Sequence, residues 1–269
     1  MINPDTDTVL ITGAAGAIGT ALRNGLRSSW KNLRLTDIRP IKDQTNNETF
    51  IEADIADRAA LDRMTQGVKA VVYMTGAPNG SSMEELFRVN CRGVFDVFES
   101  ARVNGVQRIL YASSNHAFGC YPIDVPVSPE MPTRPDSMYG AFKAAFEDVL
   151  RMYYDRWGIR SVSMRIGTYR TEPIDQRSLA TWLSPGDVAR LVDAGLRHPD
   201  PGCLVINGYS NNTRMKVART HWDFLGYQPQ DNAEDHIPML RAKGIDVDGA
   251  WEWNEHGGHH AHAPERTVG

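Results

Sequence analysis

A tyrosine and a lysine four residues apart, Tyr139 and Lys143, have the chemistry of a general base and its activator. Residues spaced i and i+4 on a helix lie on the same face, so both side chains can reach one ligand. A lysine ammonium stabilises a nearby phenolate and so lowers the pKa of the tyrosine. The phenolate can then accept a proton from a substrate. The pair alone is also common on ordinary amphipathic helices, where the tyrosine is half-buried and the lysine is solvated.

A second polar group follows a short apolar run. The run that ends at Ala112 has the pattern of a buried strand, and four hydrogen-bonding side chains follow it from Ser113 to His116. A polar turn is the plain interpretation. Ligands of open α/β sheets bind at the carboxyl ends of the strands, however, so a serine here is also placed to hold the oxygen whose proton the tyrosine takes.

A glycine-rich turn near the start of the chain indicates a different kind of site. The segment VLITGAAGAIG places Gly13, Gly16 and Gly19 between a β-branched strand and an alanine-rich helix. Glycine allows a tight turn and close approach of the backbone to a pyrophosphate, which the helix N-terminus attracts. Asp37 ends the next strand about 20 residues further on, where a carboxylate accepts the ribose hydroxyls of adenosine. The pattern predicts a dinucleotide site and favours NAD over NADP, although Arg39 is placed to recruit a 2′-phosphate.

Alternating apolar runs and helical patterns supply the elements that hold these residues. This alternation is typical of a parallel sheet covered by helices, so the expected fold is α/β, a Rossmann-type doubly wound parallel sheet with a small C-terminal substrate-binding lobe. Ser184 and Pro185 predict the start of a further helix. Strands are predicted at 8–12, 33–36, 49–53, 70–74, 108–112 and 161–165, and amphipathic helices at 17–26, 59–66, 83–103 and 139–154.

The chain is expected to form one catalytic domain over residues 1–245, with a substrate lobe mainly from 166–235. Residues 246–269 are rich in glycine, histidine and tryptophan without a clear period, so the tail is expected to be weakly ordered or to lie over the surface of the protein. The histidines of EHGGHHAH lack the scaffold of a metal site, and no metal is predicted. Extra apolar residues on 83–103 and 139–154 favour a homodimer or a higher homo-oligomer.

Composition narrows the partners and the compartment. The formal net charge of the 269 residues is −4, so there is no overall basic field for nucleic acid or anionic lipid. The three cysteines are far apart and form no CxxC motif, which disfavours a disulfide framework or a zinc cluster. No signal-like segment opens the chain, and no apolar run reaches the ~18 residues of a membrane span. A soluble cytoplasmic protein that acts on a small molecule is expected.

Taken together, these motifs resemble a known family. The glycine motif, Asp37, Asn90 in a long fourth helix, and a serine ahead of YxxxK are similar to the extended short-chain dehydrogenases/reductases. More narrowly, the chain resembles uronate dehydrogenases over about residues 8 to 235. That resemblance implies oxidation of the anomeric carbon of a hexuronic acid with NAD, giving an aldarolactone. The segments that carry it are YASSNHAFGCYP, RPDSMYGAFK, LRMYYDRWG, MRIGTYRTEP, RSLATWLSPGD and LGYQPQDNAED.

The resemblance also implies roles for individual residues. Tyr139 would be the base, Lys143 would position the nicotinamide ribose and lower the pKa of the tyrosine, and Ser114 would bind the anomeric hydroxyl. Arg177 matches the arginine that takes the substrate carboxylate, which its planar fork suits. The other expected substrate contacts are Asn79, Asn115, His116 and Thr168. The expected cofactor contacts are Gly13, Ala15, Gly16, Ala17, Ile18, Gly19, Asp37, Asp54, Ile55, Thr75, Gly76, Ala77, Asn90, Tyr139, Lys143 and Ile166.

Two of these residues have an ordinary structural alternative, and two features depart from the family. Asp54 is at a position that usually flanks the adenine ring of the cofactor, but it could equally be a helix N-cap. His116 could equally be a structural histidine that is hydrogen-bonded to backbone. The fourth strand ends YMTGAPN, where the family tends toward a histidine and a second glycine. Arg170 adds positive charge near the acid-binding loop.

Other functions stay open on the sequence. Arg170 and Arg177 would also serve a sulfonate or phosphate ester, so sulfoquinovose, a sugar phosphate, or a neutral aldose such as L-arabinose or D-galactose are alternative substrates. A nucleotide-sugar epimerase is a further alternative, although the chain leaves little room for its longer C-terminal lobe. A catalytically silent NAD-binding sensor would not need the serine, the tyrosine and the lysine together.

Overall fold

Seven parallel strands form one twisted sheet at the centre of the protein. The computed structural model describes residues 1–263. The sheet runs in the order β3-β2-β1-β4-β5-β6-β9, and every neighbouring pair is parallel. The strands are β1 (Thr8–Thr12), β2 (Leu33–Asp37), β3 (Glu48–Glu52), β4 (Val68–Tyr73), β5 (Arg108–Ser114), β6 (Arg160–Ile166) and β9 (Cys203–Gly208), with β7 (Thr168–Tyr169) and β8 (Trp182–Leu183) paired separately. This order confirms the predicted Rossmann-type doubly wound α/β fold.

Helices cover both faces of the sheet. Strand residues alternate between the faces: Val9 and Ile11 pack toward α1 and α7, whereas Leu10 packs toward α2, α4 and α5. The longer helices are α1 (Ala17–Leu26), α2 (Arg58–Thr65), α4 (Val94–Val103), α5 (Met138–Trp157) and α7 (Pro185–Arg197), and the shorter ones are α3 (Met83–Glu85), α6 (Ser178–Thr181), α8 (Trp222–Leu225) and α9 (Ile237–Ala242). Among the residues described, no helix is both long and apolar enough to span a membrane.

Several predicted elements are found, and others differ. The structure has β1 and α1 at the predicted bounds, and Ser184 caps α7 by accepting a hydrogen bond from the amide of Asp187 at 2.9 Å. The single helix predicted over 83–103 is instead three segments, because Leu86–Gly93 is π-helical. Strand β9 was not predicted at all. Short π-helical segments within helices are often found at functional sites. The segment Leu86–Gly93 contains Asn90.

A buried charged cluster ties α5 to two central strands. Glu147 of α5 accepts hydrogen bonds from Arg165 of β6 at 2.7 Å and from Ser113 of β5 at 2.5 Å. All three residues are less than 10% exposed. Ser113 is therefore a buried strand residue and not part of a polar turn. Its hydroxyl supplies a hydrogen bond that the carboxylate inside the fold needs.

The C-terminal segment packs on the rest of the fold. The amide of Ile123 donates to the carbonyl of Asn254 at 2.7 Å, and Val247 and His256 are buried. Up to residue 263 the segment lies against the fold and is not weakly ordered, because backbone hydrogen bonds and the buried imidazole hold it in place. Residues 264–269 of that predicted tail lie outside the described residues.

The substrate lobe has a small core of its own. Leu179 and Trp182 pack there against Leu240 and Val247. The lobe therefore also includes residues after 235, the end predicted for most of it.

Removal of the Glu147 carboxylate tests the contribution of the buried cluster. Glu147→Ala leaves the Arg165 guanidinium buried without its anion, and breaking a buried pair in this way costs about 3–5 kcal/mol. We expect the free energy of unfolding in urea to fall by that amount. Arg241→Ala, which removes an exposed pair with Asp248, is the control and should change it by less than about 0.5 kcal/mol. Equal losses in the two variants would contradict the interpretation.

Candidate active site

The glycine-rich turn forms one wall of a cleft at the carboxyl ends of the central strands. Gly13 has a φ of +65°, and a Cβ there would lie 3.0 Å from the backbone of Met74 and Thr75. A Cβ on Gly19 would lie 2.2 Å from the Gly13 carbonyl oxygen, so the helix packs directly on the turn. Gly13 and Gly16 both line the cavity beside this turn, so their backbone is open to a pyrophosphate.

Asp37 lies at the end of β2 and braces this turn. One carboxylate oxygen accepts a hydrogen bond from the amide of Ala15 at 3.0 Å, and the other accepts from the amide and the Nε of Arg39. Arg39 is therefore partnered by the carboxylate, although its side chain is 62% exposed. A carboxylate at this position suits ribose hydroxyls and repels a 2′-phosphate.

The cavity next to the turn has a volume of about 280 Å³. Ile55 is buried at its wall, and Asp54 forms an ion pair with Arg88 at 3.0 Å. The helix cap considered for Asp54 is made by Asp57, whose carboxylate accepts from the amides of Ala59 and Ala60. The expected cofactor residues that line this cavity are Gly13, Gly16, Asp37, Asp54, Ile55, Thr75, Gly76 and Ala77.

Asn90 holds the segment after β4. Its amide oxygen accepts from the Ala77 amide at 2.7 Å, and its amide nitrogen donates to the Ala77 carbonyl at 2.9 Å. A Cβ on Gly76 would lie 3.5 Å from the Asn90 amide oxygen and 3.6 Å from Lys143 Nζ. The segment therefore links the cofactor side of the cleft to Lys143. Asn79, in the same loop, has a buried amide nitrogen without a hydrogen-bond partner among the described residues.

Tyr139 and Lys143 lie together near the N-terminus of α5. Ser137 caps the helix by accepting from the amide of Gly140 at 3.1 Å. Lys143 Nζ donates to the Ala112 carbonyl at 2.6 Å and lies 5.5 Å from the centre of the Tyr139 ring. Ser114, the last residue of β5, has its side chain close enough to the Tyr139 hydroxyl to favour loss of the tyrosine proton.

Burial has the largest effect on the pKa values of Tyr139 and Lys143. It raises the pKa of Tyr139 to about 12, with a smaller contribution from Asp136 and an opposing one from the Ser114 hydrogen bond. It also lowers the pKa of Lys143 to about 8. The protein's own groups alone thus do not bring the tyrosine pKa toward neutrality. Charging either group has a desolvation cost, because both side chains lie away from water.

His116 is held by a carboxylate and not by backbone. Its Nδ1 lies 2.7 Å from a carboxylate oxygen of Asp136, whose side chain is fully buried. The ring meets Tyr139 edge-on at 5.8 Å between centroids and His260 of the C-terminal segment at 4.9 Å. Asn115 beside it is buried, and its amide oxygen accepts from the Ser114 hydroxyl at 3.3 Å.

Arg177 points toward the C-terminal segment. One terminal nitrogen donates to the Thr168 hydroxyl at 3.3 Å, and the other donates to the His256 carbonyl at 2.9 Å. Gly258, with a φ of +62°, leaves room for the guanidinium, because a Cβ there would lie 3.0 Å from Arg177 Nε. His260 is close enough to Arg177 and His116 for both to lower its pKa, after the larger effect of burial, to about 4.

Arg170 is not part of this arrangement. It is exposed and lines a hollow beside α1 with Thr20 and Asn24, to which Arg177 does not contribute.

Sequence reasoning missed several residues at the site: Asp136, His256 and His260. Asp136 directly precedes the helix cap of α5, and the histidines were considered only as metal ligands. In the part of the chain that the structure describes, no three His, Cys, Asp or Glu side chains are placed to hold a metal ion.

Several known proteins are similar to this chain in sequence and in fold. The model of the NAD dependent epimerase/dehydratase family matches residues 9–183. Uronate dehydrogenase of Pseudomonas putida is 41% identical over 236 residues, which is 87% of this chain and 88% of that protein. The crystal structure of uronate dehydrogenase from Agrobacterium tumefaciens matches with a TM-score of 0.90 at 34% identity and covers 97% of this chain and 99% of its own. A tyrosine-to-alanine variant of that enzyme, crystallised in complex with NAD, matches with a TM-score of 0.89.

Proposed function

Because the chain belongs to the NAD dependent epimerase/dehydratase family, we propose that it oxidises the anomeric carbon of a free hexuronic acid, such as D-glucuronate or D-galacturonate. The observation that carries this proposal is the position of Arg177 relative to the Ser114–Tyr139 pair. His260 lies within electrostatic range of Arg177 and contacts His116, which in turn contacts Tyr139. Through these neighbours, the cation proposed for the carboxylate is connected to the base proposed for the alcohol.

NAD is the cofactor and, when bound, supplies the hydride acceptor. The glycine cradle, Asp37 and the segment held by Asn90 are the residues that would bind it. Asp37 favours the unphosphorylated ribose, and its hydrogen bonds with Arg39 occupy the cation that would otherwise recruit a 2′-phosphate.

Ser114 and Tyr139 hold the anomeric hydroxyl between their two hydroxyl groups in this proposal. Tyr139 removes the proton, and the cyclic sugar is converted to a lactone. Lys143 places a positive charge 5.5 Å from the centre of the tyrosine ring, which stabilises the phenolate as it forms. Asn115, His116 and Asn79 line the sugar, with Asp136 fixing the imidazole orientation.

Arg177 sets the substrate class. Two of its five N–H groups are used by Thr168 and His256, so others stay available for a carboxylate. A charge-assisted pair of this kind contributes about 2–4 kcal/mol. A neutral aldose would leave the half-buried guanidinium without an anion, which disfavours arabinose and galactose.

Two exposed aromatic residues support a proposal about assembly. Phe87 and Phe95 are 50% and 44% exposed on the helical segments after Ser82, and Met152 of α5 is 39% exposed. Phe87, Phe95 and Val149 line one apolar hollow between these segments and α5. We propose that this face pairs with a second copy of the chain, since it would remove a contiguous apolar surface from water.

Substitution of Arg177 tests the substrate class. We expect the wild-type protein to reduce NAD fastest with glucuronate or galacturonate, in a panel with glucose 6-phosphate, sulfoquinovose, galactose and arabinose. Arg177→Ala should lower kcat/KM for the uronates by about 30- to 1000-fold, the equivalent of about 2–4 kcal/mol. Arg170→Ala is the matched control and should stay within about twofold. A wild-type enzyme active only on neutral sugars would show that the assignment of Arg177 is wrong.

The pH profile tests the roles of Tyr139 and Lys143. Loss of the tyrosine proton activates the base, so the rate rises with pH. Lys143→Met removes a positive charge near the phenolate and should move this rising limb to higher pH by about 1–3 units. The measurement is kcat/KM for NAD reduction between pH 6 and pH 11, with Tyr139→Phe as the inactive reference. An unshifted limb in Lys143→Met would exclude electrostatic activation by the lysine.

A charge on the apolar face tests the proposed dimer. Phe95→Glu should convert the assembly to monomers, because a buried carboxylate opposes pairing. Light scattering coupled to gel filtration measures the mass. Phe224→Glu, at a residue 55% exposed outside this face, is the control and should leave the mass unchanged. A wild-type monomer, or a Phe95→Glu protein of unchanged mass, would refute the pairing face.

A further inference from the structure

A basic cavity lies at the edge of the sheet opposite the cleft. Arg108 and Arg160 are the first residues of β5 and β6, whereas Ser114 and Ile166 are the last. Strands of this length separate the two edges by about 20 Å. The cavity has a volume of about 530 Å³, and none of its lining residues is acidic. Its polar wall consists of Arg102, Gln107, Arg108 and Arg160, beside the indole of Trp157.

Arg108 is a buried cation without a carboxylate partner. It is 1% exposed, and its terminal nitrogens donate only to the carbonyls of Gly195, Leu196 and Pro199. Its Nε has no hydrogen-bond partner among the described residues. Burial and the neighbouring Arg160 lower its pKa to about 10. Arg165 in the same sheet is equally buried but is paired with Glu147. The carboxylate that acts on Arg108, that of Asp200, opposes the lowering of its pKa but makes no hydrogen bond to it.

Two further guanidinium groups stand beside Arg108. Arg102 lies 4.7 Å from the centre of the Trp157 ring, and its partner Glu99 is not part of the lining. Arg160 pairs with Asp200, which is also outside the lining. Three positive charges around a cavity without an acidic wall favour an anion with more than one charge.

We propose that this cavity binds a small organic anion with at least two negative charges, carried by phosphate or carboxylate groups. The volume is typical of a small-molecule site. A purely structural role for Arg108, as a clamp on the end of α7, accounts for its terminal nitrogens. It does not account for the unpartnered Nε or for the convergence of Arg102 and Arg160. The site is separate from the proposed catalytic cleft and does not depend on the proposed reaction.

Calorimetric titration of the NAD-saturated full chain tests the site, with inorganic pyrophosphate and L-malate as separate probes. We expect one equivalent of at least one probe to bind the wild-type protein, and the probe that binds identifies phosphate or carboxylate as the recognised group. Arg102→Gln/Arg160→Gln should weaken that binding at least tenfold. Arg108 itself is left intact because it holds α7.

Two control variants make the test specific. Arg156 lies 4.6 Å from the centre of the same Trp157 ring but does not line the cavity, so Arg156→Gln should bind within twofold of wild type. Arg177→Ala should also bind normally, which separates this cavity from the cleft. The proposal is overturned if neither probe binds the wild-type protein. It is equally overturned if Arg156→Gln loses as much affinity as the double variant, or if Arg177→Ala abolishes binding.

Discussion

Helix α5 meets strand β5 through three polar contacts, each one helical turn from the next. Tyr139 lies beside Ser114, Lys143 donates to the Ala112 carbonyl, and Glu147 accepts from the Ser113 hydroxyl. Positions spaced by four residues form one stripe along a helix, so a single face of α5 supplies all three. The stripe begins with the proposed base and ends in the buried ion pair with Arg165, and the site and the core are thus anchored by the same surface.

This contact requires an unusually close approach at one end. A Cβ on Gly140 would lie 2.2 Å from the His116 carbonyl oxygen, so any larger residue would push α5 away from the loop that follows β5. Burial in this region has opposite effects on the two side chains, because it raises the pKa of Tyr139 and lowers that of Lys143. Each charged form is costly alone, whereas a phenolate beside an ammonium offsets part of that cost. The chemistry proposed for the pair therefore depends on forming both charges together.

Local sequence signals predicted the elements whose ends are marked by their own residues. The glycine turn fixed the start of α1, and the Ser184-Pro185 cap fixed the start of α7. Strand β9 was missed because its segment follows HPDPG and ends in Asn207 and Gly208, which are poor strand formers. The π-helical segment within 83–103 could not be predicted from the periodicity of the sequence. The hydrogen bonds of Asn90 in this segment are made to Ala77, which is distant in the chain. The sheet was thus predictable from local pattern, but the position of Asp136 beside His116 was not.

The substrate side of the cleft depends on contacts between distant parts of the chain. Arg177 is oriented by the His256 carbonyl, and a Cβ on Gly257 would lie 2.0 Å from a carboxylate oxygen of Asp136. The C-terminal segment therefore touches both the proposed acid-binding arginine and the carboxylate that orients His116. Its glycines have no periodic pattern because they are needed for close approach and not for a helix or strand. A segment that resembles a disordered tail in composition therefore packs against residues of the proposed substrate site, and its order follows from what it packs against.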